Sequence, residues 1–165
     1  MSHPQLREGD RKRVPLLLQN RSLYHPAKPN DHRPRVRVRV AGLYNDRFDD
    51  KPEVEAIIDT GFAGWIILPS TMKGDLSRDY LAPLAPQQCP RLRRFGEKKG
   101  IPHLDTFTLL RVRVLGDEGL YSEVVPDYVC FAEIDHGLIG VDFLLNTKSR
   151  LFLDGNAHCF TLDMP

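Results

Sequence analysis

The residues best suited to chemistry in this 165-residue chain are Asp59, Thr60 and Gly61. They follow an apolar run, residues 54–58 (Val-Glu-Ala-Ile-Ile), whose pattern is typical of a buried strand. Burying an ionised carboxylate costs several kcal/mol unless it is paired or neutralised, so a buried strand rarely ends on one. A carboxylate at the mouth of a core, beside a hydroxyl and a glycine N–H, is suited to general acid–base chemistry.

This Asp-Thr-Gly triplet resembles the active-site loop of aspartic proteases. Residues 138–140 (Leu-Ile-Gly) fit the apolar-apolar-Gly element that packs beneath the loop in that family and opens a short helix. From about residue 35 to residue 162 the chain resembles the retropepsin-like group, the half-size proteases that dimerise. The resemblance implies a mainly β fold, a closed or partly open β-barrel of the retropepsin-like acid protease type with one or two short helices.

One carboxylate alone does not hydrolyse an amide efficiently, whereas two carboxylates that share a proton across a bound water can do so. The chain has one Asp-Thr-Gly, and Asp142 is no second copy, because it falls in the first turn of the expected helix. We therefore expect a homodimer in which a two-fold axis brings two Asp59 side chains together, acting as an aspartic-type endopeptidase without a cofactor. The resemblance implies that Thr60 links the two loops and that the Gly61 N–H points toward the aspartate.

The resemblance also implies an extended polypeptide substrate, paired through its backbone and covered by a flap. Residues 91–101 contain two glycines between apolar-alternating flanks, which indicates a hairpin that can bend, although a plain surface hairpin has the same pattern. In the family the flap lies in this interval. The predicted substrate-binding residues are Phe62, Ala63, Phe95, Gly96 and Gly100.

Two positions depart from the family pattern. Many members carry a small or hydroxylated residue after Asp-Thr-Gly and Ser or Thr next, where this chain has Phe62 and Ala63. Phe62 followed by Gly64 is nevertheless similar to a bacterial branch of the family. A non-catalytic peptide- or protein-binding module on the same fold is therefore the alternative. Residues 70–73 match the Ser-x-x-Lys motif of penicillin-binding enzymes, but the partner motifs of those enzymes are missing, and we expect only a helix start.

Charge divides the chain into two parts. Residues 1–40 carry ten Lys/Arg and three Asp/Glu, a net charge of +7, whereas the remainder carries thirteen and nineteen, a net charge of −6. Residues 1–34 therefore predict a basic, extended arm, with a short edge strand possible near residues 14–19, and residues 35–165 predict the protease-like domain. Binding of nucleic acid by the arm or by the arginines of residues 35–40 is a weaker hypothesis, because aromatic residues do not alternate with them.

Other sequence features restrict the cellular environment, the ligands and the secondary structure. No apolar run reaches the ~18 residues that a membrane helix needs, so we expect no membrane partner. Three widely spaced cysteines are typical of reduced thiols, which favours a cytoplasmic location. The six histidines lack the spacing of a zinc site, and we predict no metal. Alternating residues predict strands at 35–40 and 106–115, and further strands are expected within 120–131 and on both sides of a turn at 154–156.

Overall fold

Strands dominate the computed structural model, which describes residues 13–14, 33–45, 47–76, 79, 81–84, 104–116, 121–154 and 159–164. The helical segments in these ranges are two 3-10 helices, Phe48–Asp50 and Ser70–Leu76, and one α-helix, α1, Val141–Asn146. None of these helices has the length and apolar character needed to cross a membrane. The strands are β1 (Arg13–Val14), β2 (Arg35–Gly42), β3 (Val54–Ile58), β4 (Ile66–Pro69), β5 (Ala82–Leu84), β6 (Asp105–Thr108), β7 (Leu110–Leu115), β8 (Tyr121–Val124), β9 (Val129–Ala132), β10 (Gly137–Ile139), β11 (Arg150–Asp154) and β12 (Cys159–Asp163).

Nine of these strands form one sheet in the order β5-β6-β9-β4-β10-β3-β2-β7-β8. Within the described ranges the hydrogen-bonded ladder is open, since β5 and β8 end it without pairing with each other. The mainly β prediction is confirmed. The described ladder does not close into a barrel.

The chain turns a corner at Leu109. β6 and β7 lie near opposite ends of the sheet order, yet this single residue joins them. Leu109 has a φ of 62°, and its carbonyl accepts a hydrogen bond from the backbone N–H of Leu43 at 2.7 Å. Because consecutive Cα atoms are about 3.8 Å apart, the sheet must bend until the end of β6 and the start of β7 approach each other at this corner. The prediction of one continuous strand over residues 106–115 is therefore wrong at this position.

The alternation of β2 places its valines inward. Val36, Val38 and Val40 are buried in the main core, whereas Arg37 points to solvent. Arg35 is the exception, because it is 3% exposed and its Nη1 donates to Glu55 Oε1 at 3.1 Å. A buried guanidinium is tolerated where a carboxylate neutralises it.

The strands at the centre of the sheet are covered on both faces. Along β4, Ile66 and Leu68 belong to the main core, whereas Ile67 belongs to a second apolar cluster. Successive side chains of a strand point to opposite faces, so the second cluster lies on the far side of the sheet from the main core. Its buried members are Phe62, Ile67, Cys130 and Ala132.

A separate three-stranded sheet has the order β1-β12-β11. Val14 of β1 is paired with Leu162 of β12, so a strand begins where the edge strand near residues 14–19 was expected; residues 15–19 lie outside the described ranges. β12 contributes Phe160 and Leu162 to the main core. The small sheet is therefore attached to the large one by its middle strand.

Candidate functional site

Asp59 stands one residue beyond the end of β3, at the base of an exposed loop. Its backbone N–H donates to the carbonyl of Ile139 at 2.9 Å, and its side-chain Oδ1 accepts a hydrogen bond from the N–H of Gly61 at 2.9 Å. Thr60 and Gly61 are exposed and Asp59 is partly exposed. The carboxylate is thus oriented by an amide donor within its own loop and remains accessible to solvent.

The loop is closed at its base by β10. This strand is parallel to β3, with Ile139 opposite Ile58, and antiparallel to β4, with Ile139 opposite Ile66. The strand that enters the loop and the strand that leaves it are therefore not bonded to each other. They are held apart and positioned by a segment far along the chain, which fixes both ends of the loop in the backbone ladder.

The turn after β10 is bonded to the loop carbonyls. The N–H of Gly140 donates to Trp65 at 2.9 Å, that of Val141 to Phe62 at 2.8 Å, and that of Asp142 to Gly64 at 3.2 Å. The first amides of a helix lack intrahelical acceptors, so the loop satisfies donors that α1 would otherwise leave unpaired. Residues 138–140 therefore fix the position of the loop by packing against its backbone.

This close approach requires glycine at two positions. A Cβ on Gly140 would lie 2.1 Å from the carbonyl oxygen of Gly64 and 2.7 Å from that of Phe62. A Cβ on Gly64 would lie 2.3 Å from the Phe62 ring. All three distances are shorter than van der Waals contact allows. Gly61 is less constrained, since its Cβ would lie 3.1 Å from Asp59 Oδ1.

Asp59, Thr60 and Gly61 lie together in the loop after β3, and the two residues that follow them differ in their placement. Ala63 is exposed beside the loop, whereas Phe62 is 1% exposed and its ring is part of the second cluster. In the single chain Phe62 therefore supports the loop from within, and its role in substrate binding stays a prediction. Phe95, Gly96 and Gly100, predicted to belong to a flap, lie outside the described residues.

Sequence reasoning did not find that Gly64 is needed for packing. The signal was present, because a glycine stands two residues after a bulky Phe62 in a segment that must fold back on itself. Asp142, in contrast, is in the first turn of α1 as expected. Across the part of the chain that the structure describes, Asp59 forms no salt bridge.

The arginines on the outer face of the sheet are neutralised by carboxylates. Arg39 Nη2 donates to Glu53 Oε1 at 2.8 Å, and Arg113 Nε donates to Glu123 Oε1 at 2.8 Å. The Arg113 guanidinium also lies 4.3 Å from the centre of the Phe48 ring and 4.0 Å from that of Tyr121.

Burial acts to lower the pKa of Arg113, but the hydrogen bond and charge of Glu123, with smaller effects of Tyr121 and Asp49, outweigh it and raise that pKa. Arg39 also lies 3.7 Å from Asp49, which is 2.6 Å from Arg113. These arginines therefore form an internal network with acidic neighbours, which does not favour the hypothesis that the strand face binds nucleic acid.

Among the described residues there is no group of three or more His, Cys, Asp or Glu side chains placed to hold a metal ion. Comparison with known protein families gives no match, and no curated protein has a matching sequence. A function for this chain must therefore be argued from the geometry of the loop around Asp59.

Proposed function

We propose that the chain is an aspartic endopeptidase that acts as a homodimer, with one Asp59 from each copy. The observation that supports this proposal is the loop itself. A partly exposed carboxylate, oriented by the Gly61 amide, stands on a backbone held by hydrogen bonds from β10 and from the turn at Gly140. This is a rigid base for a group that must be placed within a fraction of an ångström.

The chemistry requires the second copy. Two carboxylates about 3 Å apart cannot both ionise near neutrality, so one remains an acid and the other a base. The base accepts a proton from a bound water, which attacks the scissile carbonyl carbon. The acid donates a hydrogen bond to the carbonyl oxygen, and a proton reaches the leaving nitrogen as the C–N bond breaks.

The exposed tip of the loop is consistent with this arrangement. Thr60 and Gly61 are accessible, so a two-fold axis near them would bring the two loops into contact, with each Thr60 hydroxyl next to the other copy's backbone. Ala63, also exposed, is the residue of the predicted substrate set that an extended peptide would meet on this surface.

The test is proteolysis of an unfolded protein by the full chain. We expect Asp59→Asn to lower the rate by at least about a hundredfold, the lower range for loss of a general acid–base group, and a statine-type inhibitor to block the wild type. Asp135→Asn, the same chemical change at an exposed position in the loop before β10, is the matched control and should retain activity. Undiminished cleavage by Asp59→Asn would end the proposal.

A mixing experiment tests the shared site. Wild-type chains mixed with an excess of Asp59→Asn should lose activity, because a mixed dimer carries one carboxylate and one amide. If each chain cut independently, the wild-type rate would persist. A dimer that binds peptides with no cleavage under any condition would instead favour the alternative, a binding module on this fold.

A further inference from the structure

The small sheet presents an apolar edge on β11. In the order β1-β12-β11, β12 is bonded on both sides, and β11 has a strand neighbour on one side only in the described ranges. Phe152 is 53% exposed and Leu153 is 69% exposed. An extended, exposed apolar edge with no proline is a template for the addition of another strand.

The charges of β11 are arranged for pairing with itself. The strand reads Arg-Leu-Phe-Leu-Asp, with Arg150 at one end and Asp154 at the other. In an antiparallel pair centred on Phe152, Arg150 of each copy faces Asp154 of the other, and Leu151 faces Leu153. Opposite charges then face each other twice and apolar side chains face each other twice, and side chains of like position share a face because strand residues alternate.

We infer that the second copy required by the proposed function joins through the edge of β11, giving a continuous six-stranded sheet across the two-fold axis. This inference rests on the proposed homodimeric site. The interface uses β11 and not β12, because β12 is already paired on both sides with β1 and β11 of its own chain. A strand of another protein, or a further segment of this chain, would be the competing occupants of the edge.

The decisive test uses two charge-reversal variants of the full chain, Arg150→Glu and Asp154→Arg. Each homodimer then places like charges opposite each other twice, so the dissociation constant measured by sedimentation should rise at least about tenfold. An equimolar mixture restores both ion pairs. The carboxylate introduced at position 150 of one chain faces the guanidinium introduced at position 154 of the other, and the unchanged Asp154 faces the unchanged Arg150. The mixture should regain dimer with close to wild-type affinity.

The mixture separates interface geometry from damage to the fold. Arg150 also faces Asp163 on β12 of its own chain, and a defect there could not be repaired by adding a second variant. A third variant, Phe152→Asp, should also weaken the dimer. Its matched control is Val125→Asp, at an apolar position of similar exposure, 56%, between β8 and β9, which should leave association unchanged.

Each outcome bears on the inference separately from the proposed function. Recovery of dimer in the mixture supports the inference, and it stands even if that dimer cuts no peptide, in which case the proposed function fails alone. Single variants that dimerise as tightly as the wild type, or a mixture that does not recover, would overturn the inference while leaving proteolysis to be judged by Asp59→Asn. A wild type that is monomeric at every concentration would overturn both.

Discussion

Gly140→Ala should displace the loop that carries Asp59. The added methyl group would lie 2.1 Å from the Gly64 carbonyl oxygen and 2.7 Å from that of Phe62. Both obstacles are backbone atoms, so no side-chain rotation can relieve the overlap. Real contacts of a Cβ lie beyond 3.0 Å. The turn and the loop must therefore separate by roughly 1 Å, which is large on the scale of a packed interior.

The free energy of unfolding should fall by about 2–6 kcal/mol. Overpacking a fitted site costs roughly 1–3 kcal/mol. The displacement also weakens the hydrogen bonds from Gly140 to Trp65 and from Val141 to Phe62, each worth about 0.5–1.5 kcal/mol. A shift of 1 Å at a catalytic group costs about a hundredfold in rate, so any folded fraction should show that loss in the peptide-cleavage assay.

Urea unfolding followed by circular dichroism measures the first effect. The matched control is Gly74→Ala in the 3-10 helix Ser70–Leu76, where an added Cβ meets no atom within 4 Å. Replacing glycine at an open site changes stability by up to about 1 kcal/mol, in the stabilising direction where the backbone is compatible. A Gly140→Ala chain within about 0.5 kcal/mol of wild type would refute the close approach between the turn and the loop.

Two further changes test buried contacts, one in the second cluster and one around Asp79. Phe62→Ala should cost about 3–5 kcal/mol in urea unfolding, because it leaves a cavity in the second cluster; a loss below about 1 kcal/mol would mean that the ring lies in solvent. Lys51→Met should cost about 3–5 kcal/mol, because the Asp79 side chain is 2% exposed and would lose the cation 3.2 Å from it. Asp79 also accepts the N–H of Gly42 at 2.8 Å, so its carboxylate would keep only part of its partners; a loss below about 1 kcal/mol for Lys51→Met would contradict this explanation.

The sequence predicted the loop and its support because both are short local patterns. An apolar strand ending in Asp59, and an apolar pair ending in Gly140, are visible without knowledge of the rest of the chain. The pairing of β10 between β3 and β4 was not visible in this way. Periodicity shows which residues of a strand are buried, but it does not show which distant strand will be its neighbour.

Two local errors have physical causes. The alternation of residues 106–115 slips by one position where Leu109 and Leu110 stand side by side, and the structure places a left-handed residue and a corner there. The polar residues 42–52 predict a solvated hairpin tip between two strands, yet Phe48 within them is 2% exposed beneath Arg111 and Arg113. Aromatic rings covered by cations across a sheet cannot be deduced from neighbours in sequence.

The position of β10 has a consequence for the order in which the molecule is built. During synthesis β3 and β4 emerge early, but the strand that belongs between them follows roughly 70 residues after β4, several seconds later at ordinary ribosomal rates. Until then the Asp59 loop lacks the backbone partners that give it shape. The order of the strands therefore leaves the Asp59 carboxylate of a nascent chain without a fixed position. The carboxylate becomes positioned only when the C-terminal region has joined the sheet.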